Sequence, residues 1–127
     1  MPIVSLVFAG LAAVLHVYFF FLESVAFRKP FAHRTFGVTD LAEVEVLAFP
    51  MLNQGFYNLF LAVGTGVGVI GVANGWVPQG TTLVVFGCLF MVGAALVLLI
   101  ARPRMARAAA VQGALPLLAL LAALIWR

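Results

Sequence analysis

Between Glu45 and Arg102 the chain has no charged residue at all. Charge is scarce throughout, at 9% of 127 residues, while 65% are hydrophobic. A water-soluble protein of this size needs charge spread over its whole surface, so a soluble globular domain is excluded. Cysteine is limited to Cys88, which rules out an intrachain disulfide and leaves redox compartment uninformative. The chain also lacks a phosphate-cradling loop between strand and helix, a nucleophile elbow and a nucleic-acid module. His16, Glu23, His33 and Cys88 include no pair at zinc-helix spacing, so neither a metal nor a cofactor is expected. No Lys or Arg precedes the first apolar run, so the positive start of a signal peptide is missing. Ser24-Val25-Ala26 resembles a cleavage pattern, but the run closes on Phe27-Arg28-Lys29-Pro30, a stop-transfer flank. The expectation is that this run is retained.

What is present is four apolar runs, about 3–27, 47–73, 82–101 and 108–126. A spanning helix needs roughly 20 apolar residues, so four spans and their connections use up the chain. None of the runs alternates with period two, which favours helices over strands. The predicted fold is all-α: one transmembrane domain over 1–127, an integral membrane four-helix bundle. Asp40 with Glu43 matches a capping box, so a helix is expected from near Leu41. It would form a short cytoplasmic amphipathic segment, continue into the second span and bend at Pro50. Asn74 to Gly80 reads as a turn, with Trp76 as an interfacial anchor.

Basic residues flank spans rather than forming a nucleic-acid patch. Arg28, Lys29 and Arg34 lie in the first connection and Arg102, Arg104 and Arg107 in the third. The second connection holds none and Arg127 ends the chain. That asymmetry predicts a multi-pass protein of the cytoplasmic (inner) membrane, with both termini outside. The lipid bilayer is the partner this implies.

Glu23 is the single acidic residue that interrupts an apolar run. Helical rise places His16 near mid-membrane and Glu23 about 10 Å closer to the cytoplasm. Asn53 falls near the depth of Glu23, Asn58 near that of His16, and Gln112 in the cytoplasmic half. Gln54 and Asn58, four apart, share a helix face; Asn53 sits to one side. Two readings of Glu23 compete: an acid snorkelling to the span end or paired with Arg28, and an interior carboxyl facing His16, Gln54 or Asn58. His16, Asn53, Gln54, Asn58 and Gln112 are likewise read either as ligand or proton-relay groups or as interhelical glue. Gly64, Gly68, Gly71 and Gly75 share one helix stripe. A small-residue stripe packs helices closely, within the chain or at a homo-oligomer seam.

The block Asn53-Gln54-Gly55-Phe56-Tyr57-Asn58 resembles the hallmark of a bacterial family of small four-span membrane proteins known only as a domain of unknown function. The family pattern also has a histidine and a glutamate in the first span, matched by His16 and Glu23. Its Gln-Gly-x-x-Pro near the last span is matched by Gln112-Gly113 and Pro116. The resemblance implies the same fold and a polar set that belongs together; it implies no activity. The expected function is a polar intramembrane cluster that binds or conducts a small molecule, lipid head group or proton. The alternatives are a membrane enzyme of lipophilic substrates and an accessory subunit of a larger complex.

Overall fold

The computed structural model describes residues 1–126; Arg127, counted above with the basic residues, lies outside them. Five α-helices and no strand occur among the described residues: α1 Ile3–Phe20, α2 Pro30–Thr35, α3 Leu41–Ala73, α4 Val77–Ala101 and α5 Ala106–Ile125. A π-turn over Phe21–Val25 extends α1, and a 3₁₀ turn over Pro103–Met105 leads into α5. Four stretches are long and apolar enough to cross a membrane: Ile3–Val25, Leu41–Ala73, Val77–Ala101 and Pro103–Ile125. The two shortest, at 23 residues each, reach about 35 Å, against a hydrocarbon core of roughly 30 Å. Large apolar side chains stand exposed along these helices, Ile100 at 79% among them, as helices facing lipid require.

The start of α3 follows from its sequence. Asp40 accepts a hydrogen bond on Oδ1 from the Ala42 N–H at 3.0 Å, satisfying one of the open donors of the first turn. The helix then continues unbroken through Pro50 to Ala73. The short helix α2 opens on Pro30, whose missing N–H costs nothing at a first helical position.

Both α2 and α3 end in the same way. Gly37 takes φ 75° and its N–H reaches the Arg34 carbonyl, while Val38 N–H reaches that of His33. Gly75 takes φ 92°, with its N–H on Val72 and Trp76 N–H on Gly71. This paired bonding closes a helix C-terminus through a left-handed residue, and glycine is the residue that adopts it without strain. The α3–α4 turn is therefore shorter than the run from Asn74 to Gly80. Val77 already begins α4, because Pro78 falls in the first turn, where proline is tolerated.

The chain forms two compact units: Met1–Leu15 together with the chain from Ala62 onward, and His16–Leu61. In the first, Ala9, Val84, Cys88 and Ala119 are buried and packed against Leu6, Phe8, Val69 and Leu120, so α1, α3, α4 and α5 all contribute. Ser5 donates to the Ala119 carbonyl at 2.7 Å. In the second, Phe27, Val38, Val44 and Ala48 form one apolar cluster and Leu22, Ala26 and Ala32 another, with Phe36 against both.

Candidate functional site

Glu23 sits in the π-turn. The turn is closed by an Ala26 N–H donating to the Phe21 carbonyl at 2.9 Å, a five-residue step where an α-helix makes four. Within this widened turn two consecutive side chains reach α3. Ser24 Oγ donates to the Leu52 carbonyl at 2.7 Å. Glu23, only 4% exposed, accepts from Gln54 Nε2 at 3.1 Å on one oxygen and from Asn58 Nδ2 at 2.7 Å on the other. The spacing of four between Gln54 and Asn58 brings both amides to one carboxylate. Gly55 makes room for this approach: a Cβ there would lie 3.0 Å from the Ser24 Cβ and backbone N.

The carboxylate is therefore neither snorkelling nor paired with Arg28. Arg28 turns away to Glu45, donating from Nε at 3.1 Å and Nη2 at 3.4 Å. That hydrogen bond, with the charge of Glu45, pushes the Arg28 guanidinium pKa up. Beside Glu23 lies a recess of about 200 Å³, lined also by Ser24, Phe27, Arg28, Phe49 and Leu52. It combines one buried acid, an ion pair at its edge and apolar walls.

The remaining polar residues are placed differently. His16 is fully buried and stands edge-on to Phe19, with ring centroids 5.1 Å apart. Asn53 is exposed on α3, off the face that bears Gln54 and Asn58. Gln112 is half-buried on α5, in the other unit. His33 is 2% exposed, with Nδ1 2.6 Å from the Val38 carbonyl, so it ties the end of α2 from inside.

The glycine stripe divides. At Gly68 an added Cβ would meet the Gly80 carbonyl oxygen and the Val84 N at 2.9 Å, and at Gly71 the Gly80 Cα at 3.5 Å. Gly64 has nothing within 4 Å of that position, and Gly75 lies beyond the helix end, where its φ serves the turn. The partner glycines Gly80 on α4 and Gly113 on α5, where an added Cβ would lie 2.8 Å from the Ala95 Cβ, carry no such spacing signal. The π-turn has no sequence signal either, since neither proline nor glycine marks it.

Four helices long and apolar enough to cross a membrane make this a multi-pass membrane protein. The chain belongs to the family described as protein of unknown function (DUF1304), whose model matches residues 10–124. No curated protein and no solved structure matches it.

Proposed function

We propose that this is a binding protein of the bacterial cytoplasmic membrane, whose Glu23 site holds the cationic or hydrogen-bond-donating head of a small amphiphile. One observation carries the reading: a buried carboxylate, fixed by two amide donors, also lines a recess. A carboxylate offers about four acceptor positions, and the two amides use two of them. The others suit a donor arriving through the recess. Apolar neighbours favour an amphiphile over a fully polar solute: Phe49 is 78% exposed and Leu52 lies beside it.

The test is to purify wild type and Glu23→Gln in one mild detergent and compare the small molecules and lipids retained, by native mass spectrometry. A hydrogen bond to a charged group contributes about 1.5–3 kcal/mol, so at least one species should fall roughly tenfold or more in the variant. The same species in the same amounts in both proteins would sink the reading.

The orientation proposed with it places residues 28–45 and 102–107 on the cytoplasmic side, as their basic residues favour. Thr39→Cys should escape a membrane-impermeant thiol reagent added to intact cells, and Asn74→Cys should react. Both positions are exposed, and the native Cys88 is buried. The reverse labelling pattern would overturn the orientation.

A further inference from the structure

The two basic connections hold equal numbers of cations but are not equivalent. In the first, Arg28, Lys29 and Arg34 are accompanied by Asp40, Glu43 and Glu45, and Arg28 is bonded to Glu45 at 3.1 Å. In the other connection, Arg102, Arg104 and Arg107 are all exposed, and the unit that contains them has no Asp or Glu anywhere in its sequence. No ion pair forms at these arginines among the described residues, and no side chain of their own unit could form one. Positive-inside topology accounts for basic residues here but not for the absence of any counter-charge, nor for the shape of the turn.

That shape is specific. α4 ends at Ala101, and Pro103–Met105 form a 3₁₀ turn closed by Met105 N–H on the Arg102 carbonyl at 2.9 Å. Proline fixes its own backbone torsion, so the turn is stiff where it carries the charge. Ala101, Arg102, Pro103, Arg104 and Met105 line an open recess of about 340 Å³. Its lining alternates guanidinium groups with apolar side chains. The recess lies where two apolar helices end, the level at which lipid head groups meet hydrocarbon. Guanidinium is planar, weakly hydrated and forked, and it binds phosphate oxygens two at a time.

We propose that the Arg102–Arg107 turn is a binding site for the phosphate head group of an anionic lipid, with Arg102 and Arg104 on the phosphate and Ala101, Pro103 and Met105 against the glycerol and upper acyl carbons. This site uses no residue of the Glu23 recess and stands or falls independently of it.

The experiment uses the full chain in detergent. Native mass spectrometry would measure its affinity for phosphatidylglycerol and for phosphatidylcholine of the same acyl chains. A basic residue at a membrane surface contributes roughly a fivefold preference for anionic lipid. R102Q/R104Q should therefore lower phosphatidylglycerol binding by about 30-fold and leave phosphatidylcholine unchanged, and Arg107→Gln alone should lower it about fivefold. K29Q/R34Q removes the same charge from exposed positions in the first connection and should cost less than about threefold, because acids there already balance it. Equal losses in the two double variants would overturn the site, reducing it to general surface charge. Displacement of the lipid by millimolar inorganic phosphate would overturn the lipid assignment in favour of a soluble phosphate. R102K/R104K keeps the charge and loses the fork, so it should bind between wild type and the glutamine variant. Wild-type affinity in that variant would overturn the forked contact.

Discussion

The two units are built from different materials. All four acidic residues lie in His16–Leu61, and so do all the phenylalanines except Phe8, Phe86 and Phe90. Of the 12 glycines, only Gly37 and Gly55 are there. The other unit is held by close approach of helices, Gly68 on the Gly80 backbone and Gly113 on the Ala95 methyl, over a small-residue core. Without water, apolar side chains gain little by leaving lipid for one another, so tight van der Waals packing is what holds such helices together. The second unit instead joins its helices through aromatic contacts such as Phe20 on Phe56, at 5.1 Å, and through the hydrogen bonds of Glu23 and Ser24. A unit joined by backbone contact leaves no room for a ligand between its helices, only at their ends. One joined by polar side chains leaves acceptors that a ligand can share, and that is where the Glu23 recess lies.

The largest effect is expected at Gly68. A leucine there would drive its side chain into the α4 backbone, which cannot swing aside as a side chain can. Overpacking costs about 1–3 kcal/mol, and a backbone neighbour puts Gly68→Leu near the upper end. Gly64→Ala, one turn earlier on the same stripe, meets nothing within 4 Å and should be neutral or stabilising by up to about 1 kcal/mol, as alanine favours helix. Melting temperatures of both variants in one detergent check this. Wild-type stability in Gly68→Leu would show that this unit is not held by close approach.

How far such contrasts are legible in sequence depends on the device. The four apolar helices are legible because lipid demands long uninterrupted runs. Glu23 with Gln54 and Asn58 is legible too: a lone acid in an apolar run needs partners, and amides four apart share a face. Gly75 illustrates the limit. Its spacing from Gly71 fits a packing stripe, and its place before Trp76 fits a helix stop; only the backbone torsion separates the two. In sequence Pro78 reads as part of a turn because proline breaks helices, yet it sits in a first turn, where it breaks nothing. The π-turn is invisible for a further reason. Its side chains are tied to α3, at Leu52 and Gln54, by contacts that no local pattern in Phe21–Val25 announces.

A smaller effect probes the polar unit at its centre. Glu23→Leu fills the π-turn with hydrocarbon and removes the acceptor of two amides. Gln54 is exposed on its span and long enough to snorkel toward the head groups, whereas Asn58 is shorter and half-buried and cannot do so. One stranded donor costs about 1–3 kcal/mol, so Leu should destabilise by that amount. Glu23→Gln keeps the shape and one carbonyl oxygen, which can hold Asn58 while its own NH₂ faces Gln54. The expected loss is about 0.5–1.5 kcal/mol. The order therefore runs wild type, Gln, Leu, measured as thermal stability in one detergent. A Leu variant more stable than wild type would mean that burying the carboxylate costs the fold more than its two hydrogen bonds return, as happens when buried charges are replaced by well-packed hydrocarbon. The polar unit would then owe its cohesion to its aromatic contacts, and the contrast with the glycine-packed unit would narrow to side-chain size alone.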